Sequence, residues 1–213
     1  FVWIIWWVGM GYVTALVGNL WAVVNPWKIT FEWVESLVGA GGDGRGNGMF
    51  TYPERWSGWP AVALFLVFAW LENVYTGAST PSKLGLLILA YSLITWAGMA
   101  AFGKHRWLSH GEAFWVLFGF FARFSPTEVR VPDGRVCRGC ELVCEPSGEG
   151  CVDCYACFET AGRDGSRREF NVRPYAMGLA RRQRVPMATA VFVVVALATV
   201  AFDGFTATSV WLD

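Results

Sequence analysis

LGLLILAYSLITWAGMAAF, residues 84–102, is an apolar run without one charged side chain. A bilayer core about 30 Å thick takes about 20 residues of helix, with about 17 as a working minimum, so this stretch qualifies as a span by itself. Two more runs pass the same test, FVWIIWWVGMGYVTALVG at 1–18 and the stretch at 185–202. A fourth, 60–75, passes when Glu72 lies near the interface. Its flanks fit that placement, with Trp56 and Trp59 on one side and Trp70 and Tyr75 on the other arranged as an aromatic belt. Four such runs in 213 residues would need a much larger soluble core to hide them. A fifth stretch, EAFWVLFGFFA at 112–122, is too short to span and reads as an interfacial or re-entrant helix.

Composition agrees with a chain solvated by lipid. Hydrophobic residues make up 54% and charged residues 16%, against about 25% charged in soluble domains. Formal net charge is zero, so nothing in the total points to nucleic acid, and the partner implied is the bilayer. The two ends, FVWII and SVWLD, carry neither a basic leader nor a terminal signal, and the expectation is a fragment of a longer chain.

The distribution of charge sets an orientation. Loops 19–59 and 103–184 together hold 16 of the 17 basic residues, and Lys83 alone lies on the other side. By the positive-inside rule the Arg-rich side is cytoplasmic, which places Phe1 and Asp213 toward the outside. In the first of these loops Pro26 is expected to close a helix, Trp27 and Trp33 to sit in an interfacial helix, and the Gly-rich 39–48 to form a loop. That Gly-rich run lacks the Gly-Lys-Ser/Thr ending of a phosphate loop.

All six cysteines fall in CRGCELVCEPSGEGCVDCYACFE, residues 137–159. The spacing from Cys137 through Cys140, Cys144, Cys151 and Cys154 to Cys157 is C-x2-C-x3-C-x6-C-x2-C-x2-C. A Cys-x2-Cys turn aims two thiolates at one ion, and two such turns complete a tetrahedral zinc site. Cys137 with Cys140 is the first expected pair; Cys151 with Cys154, or Cys154 with Cys157, is the second. The polar insertion has few large apolar residues, so structural zinc is the expected source of its folding free energy. An iron–sulfur cluster is the alternative, since Cys151, Cys154 and Cys157 imitate part of a ferredoxin signature, though Ala161 and Gly162 stand where its closing Cys-Pro belongs. Disulfides are disfavoured on a reducing, cytoplasmic face.

Polar groups near the membrane give two further candidates. Glu72, Asn73 and Asp203 lie at the expected outer ends of their spans, where capping or solvation competes with a substrate or ion site. On the inner face KHRWLSHGEAF places His105 and His110 five residues apart, which prevents the i, i+4 pair of a zinc hydrolase, while Glu112 suits the first turn of the short helix. The sequence contains no nucleophile elbow, so no catalytic residue is assigned.

Certain motifs resemble one family: NPW at 25–27, the Trp59-Pro60 start, FGKHRWLSHGEAFWVLFGFFARFSP at 102–126 and AFDGF at 201–205. These are similar to the prokaryotic multi-pass membrane proteins described as fenitrothion hydrolase-like, apart from the Cys-rich insertion. The resemblance implies a multi-helix membrane fold and hydrolysis of an organophosphate-type ester, without identifying catalytic residues.

The fold expected is therefore all-α, a multi-pass transmembrane helical bundle with a small metal-stapled cytoplasmic loop. Residues 1–124 form membrane helices, 125–184 the Cys-rich metal-binding insertion, and 185–213 the last span and outer segment. The function expected is that of an integral membrane protein with a zinc-binding loop. A membrane-embedded hydrolase, a small-molecule or ion transporter using Glu72 and Asp203, and a redox or metal-sensing unit remain as alternatives.

Overall fold

The computed structural model describes residues 3–38, 48–75, 80–138, 140, 142, 150–181 and 185–206. The first apolar run forms a π-helical turn, Trp3–Val8, that continues into α1 (Gly9–Leu16). A break follows, then α2 (Trp21–Val24) and α3 (Pro26–Val38). Asn25 makes the corner between these last two. Its ψ of 113° leaves helical space, as a residue before proline tends to do, and its Oδ1 accepts from the backbone N–H groups of Trp27 and Lys28 at 3.0 and 3.1 Å. Pro26 thus opens α3 as well as closing α2, at the one helical position where its missing N–H is harmless.

The chain continues through α4 (Trp59–Asn73), α5 (Pro81–Phe102), α6 (Lys104–His110) and α7 (Ala113–Phe121). It then forms β1 (Thr127–Val131), α8 (Gly134–Arg138), β2 (Cys151–Val152), α9 (Tyr155–Arg163) and β3 (Glu169–Val172). The last element is α10 (Met187–Thr206).

Two of the expected spans, α5 with 22 residues and α10 with 20, are long and apolar enough to cross a membrane. At 1.5 Å per residue they measure about 33 and 30 Å. Only 22% and 11% of their most apolar stretches are buried within the chain. Leu86, Leu89 and Leu93 of α5 and Val194, Leu197 and Val200 of α10 face outward. The other two expected spans are shorter: α4 has 15 residues, and the described part of the first run has 6 in the π turn and 8 in α1. α4 begins at Trp59 with Pro60 in its first turn and ends at Asn73, and the first run breaks beyond Leu16.

Contacts fix how these helices run beside one another. Trp7 lies at the Glu72 end of α4, donating Nε1 to Glu72 Oε1 at 2.9 Å. Val17, just past α1, accepts at its carbonyl from Thr127 Oγ1 of β1 at 2.7 Å. Phe65 of α4 packs on Phe192 of α10, with ring centroids 5.0 Å apart. Met49 and Phe50 donate their backbone N–H groups to Ala100 and Ala101 at the end of α5. Residues 17–19, 48–50 and the sheet therefore gather at one end of the bundle, and Glu72 lies toward the other.

The helical core is aromatic. Trp21, Phe65, Phe118, Phe192, Met99 and Leu108 are almost fully buried, and Phe114 meets Trp6 and Phe68 edge-on at 4.5 and 5.0 Å. Trp33 is exposed, as an interfacial residue would be, but Trp27 is buried and donates Nε1 to Ser92 Oγ of α5 at 2.8 Å. At the centre lies Glu112, which caps α7 as its position suggested. Oε1 accepts from Tyr91 Oη at 2.5 Å and from Phe114 N at 2.9 Å; Oε2 accepts from Trp115 N, Trp21 Nε1 and Asn25 Nδ2 at 2.7, 3.2 and 3.3 Å. One carboxylate thereby ties together α2, the Asn25 corner, α5 and α7.

The all-α expectation fails in the insertion, which contains a three-stranded antiparallel sheet of order β2-β1-β3. Arg130 pairs with Val152 and with Glu169 across the central strand. The alternating, β-branched TEVRV carried that signal, because Val129 and Val131 bury their side chains on the pleat. Where the chain enters and leaves this unit, Arg173 N donates to Pro126 O at 2.7 Å and Ala176 N to Phe124 O at 2.8 Å. The buried Arg173 guanidinium adds bonds to Ser125 O, Ala122 O and Asp153 Oδ2 at 3.0, 2.9 and 2.5 Å.

Candidate metal centre

α8, the turn after it, β2 and α9 bring their thiols to one place. Cys137 lies in α8, and the chain turns back after it, with Cys140 N donating to Cys137 O at 3.1 Å. Cys151 opens β2 opposite Val131 of β1. Gly150 before it has φ of 96°, and a Cβ there would collide with the Val131 carbonyl, so only glycine lets the strand approach. Asp153 turns the chain at φ of 55°, in the left-handed region that Asp tolerates better than most residues. Cys154 is then the N-cap residue of α9 and Cys157 lies in its first turn, where the positive end of the helix dipole favours thiolate.

The result is two overlapping triads. The sulfurs of Cys137, Cys151 and Cys157 lie within 4.8 Å of one another, and so do those of Cys140, Cys154 and Cys157. Cys140 and Cys154 are 3.8 Å apart, and two thiolates on one tetrahedral zinc with bonds of about 2.3 Å stand about 3.8 Å apart. No disulfide joins any two of the five described cysteines, and Cys144 lies outside the described residues. The expected Cys137–Cys140 pair is divided between the triads, because Cys137 faces β2 and α9 while the turn carries Cys140 toward Cys154. Cys154 and Cys157 do share a triad.

These cysteines also form the unit's own core. Cys137, Cys151 and Cys157 are buried with Val131 and Ala161 in a cluster separate from the aromatic one. Burial, and then the neighbouring Cys151 thiol, pushes the Cys137 thiol up to about 11. Three thiolates this close would repel one another in a poorly solvated place, and a bound cation is what compensates that charge.

Glu159, two residues after Cys157, docks the unit against the helices. Its carboxylate pairs with Lys28 of α3 and lies 3.8 Å from Lys104 Nζ and 3.5 Å from His105 Nε2 of α6. Lys104 also holds Glu32 at 2.6 Å. Burial raises the Glu159 carboxyl, but the Lys28 ammonium outweighs it and holds it below its ordinary value. Burial pushes His105 down to about 4 against the pull of Glu159, leaving the imidazole neutral at neutral pH. The Tyr155 ring meets Trp115 of α7 edge-on at 6.3 Å. Between unit and helices lies a cavity of about 290 Å³, lined by His105, Ser109, Arg123, Asp153 and Cys154 among others. Sequence reasoning missed this contact, since nothing local in the sequence links Lys28 to Glu159.

Of the other candidates, Glu72 and Asp203 stand close enough for their carboxylates to interact electrostatically. Glu72 accepts from Trp7, Asn73 returns its Nδ2 to Ala69 O of its own helix at 2.9 Å, and Asp203 is exposed on α10. His110 hydrogen-bonds the Arg106 carbonyl at 3.1 Å within α6. Comparison with protein-family models, curated proteins and solved structures finds no match. The hydrolase resemblance accordingly rests on its sequence motifs alone.

Proposed function

We propose that the chain is an integral protein of the cytoplasmic membrane whose helices carry a zinc-stapled unit on the cytoplasmic side. The observation that supports this best is the contrast between two long helices with apolar, outward faces and a polar unit whose core is a thiol cluster. Lipid is the solvent that suits the first, and a thiophilic ion is the compensation that suits the second. Zinc is favoured over an iron–sulfur cubane because cubane thiolates cap different irons and point apart, whereas the triads bring their sulfurs together. The cytoplasmic assignment rests on the basic side of the chain and on residues 17–19, 48–50 and the Cys-rich unit sharing one end of the bundle.

The test is fractionation of expressing cells followed by elemental analysis. The protein should resist carbonate extraction, expose the 127–181 region to protease only in inverted vesicles, and contain zinc after purification in detergent. Release by carbonate would refute the membrane reading, and iron with visible absorption would refute zinc.

A further inference from the structure

The two triads share Cys157 but differ in surroundings. Cys137, Cys151 and Cys157 are 2%, 4% and 1% exposed, with the unit's apolar residues packed around them. Cys140 and Cys154 are only half-buried, and Cys154 lines the 290 Å³ cavity together with His105, Ser109 and Arg123. A thiolate sulfur has lone pairs enough to bridge two cations. Two ions beside one bridging sulfur also explain why the pairs Cys137/Cys140 and Cys151/Cys154 are each split between triads rather than closing on one ion.

We propose that the unit holds two metal ions bridged by Cys157: a solvent-excluded ion on Cys137 and Cys151, and an open, exchangeable ion on Cys140 and Cys154 that faces the cavity beside His105. The inference deepens the metal reading above and rests on it. Three thiolates leave one position on each tetrahedral ion. On the buried side that position lies among packed side chains. On the other it faces a polar cavity large enough for water or a small donor ligand, the arrangement that separates reactive from structural zinc.

The experiment uses the full chain in detergent, loaded with zinc and then challenged with a chromophoric chelator. The expected result is two zinc ions per chain released in two phases, with rates differing by about tenfold or more because only one ion has an enclosed outer shell. Loading with cadmium-113 should give two resonances, both coupled to the β-protons of Cys157. Cys140→Ser should remove the fast phase and keep the slow ion, which tests the assignment even if Cys157→Ser fails to fold. One ion per chain, a single release rate for two, or coupling of the Cys157 protons to one resonance only would overturn the proposal. A folded unit with no metal would sink the underlying metal reading instead, so the two failures are distinguishable.

Discussion

The two halves of this molecule bury different things. In the helical half the core is a lattice of indole and phenyl rings around Phe114 and Phe118, and aliphatic side chains cover its outside. In the inserted half the outside mixes exposed arginines with apolar side chains such as Phe170 and Val172, and the core is three thiols, a valine and an alanine. Aromatic packing supplies its stabilisation directly, through contacts and area. A thiol core of this size supplies little until a cation binds. The difference teaches that one chain can hold two cores of different chemistry, with the boundary running through the Glu159 contact.

The largest expected effect separates the two cores. On the zinc reading proposed above, chelation should unfold the 127–172 region, since structural zinc contributes roughly 10 kcal/mol or more. Amide exchange within α4 and α5 should stay slow. Simultaneous loss of protection in both halves would show one cooperative core and break the comparison.

A smaller effect belongs to the helical half. Glu112→Ala removes the α7 cap and strands the Tyr91 hydroxyl and Trp21 indole, at about 1–3 kcal/mol for each buried group left unsatisfied. Detergent denaturation should detect the loss while metal content stays unchanged, and Glu112→Gln should recover part of it by restoring acceptors. A variant as stable as the parent would mean that the network is ornamental.

The smallest effect lies at the boundary. Glu159→Gln leaves Lys28 without its carboxylate and should weaken docking by about 1–2 kcal/mol, near the range for hydrogen bonds to charged groups. Its signature is faster exchange in α9 and α6 with metal stoichiometry and helix content preserved. If metal is lost as well, the contact belongs to the metal site and the boundary must be redrawn.

What the sequence disclosed follows the same division. Residues 84–102 announced α5, because a long uncharged run has few alternatives to helix. Glu112 announced the α7 cap, because a carboxylate before an apolar run satisfies N–H groups that nothing else reaches. The cysteine spacing located a thiol cluster that could hold a metal, and of the expected pairs Cys154 with Cys157 shares a triad while Cys137 and Cys140 do not, since C-x2-C fixes proximity along the chain and not which element each thiol faces. Trp27 was misplaced for a related reason: whether an indole lies at an interface or donates to Ser92 depends on where α5 stands. The sheet was legible in TEVRV, though five alternating residues are a weak signal beside apolar runs of 18 or more.

The neck of the insertion carries one more consequence. Phe124 and Pro126 on the way in are hydrogen-bonded to Ala176 and Arg173 on the way out, so the chain leaves the unit beside where it entered. An excursion that returns to its starting point can be shortened, exchanged or deleted without changing the span between its anchors. The Cys-rich unit is therefore a cassette. A short Gly-containing turn joining Phe124 to Ala176 would let α7 lead on toward α10, removing the thiol cluster while keeping the same bundle.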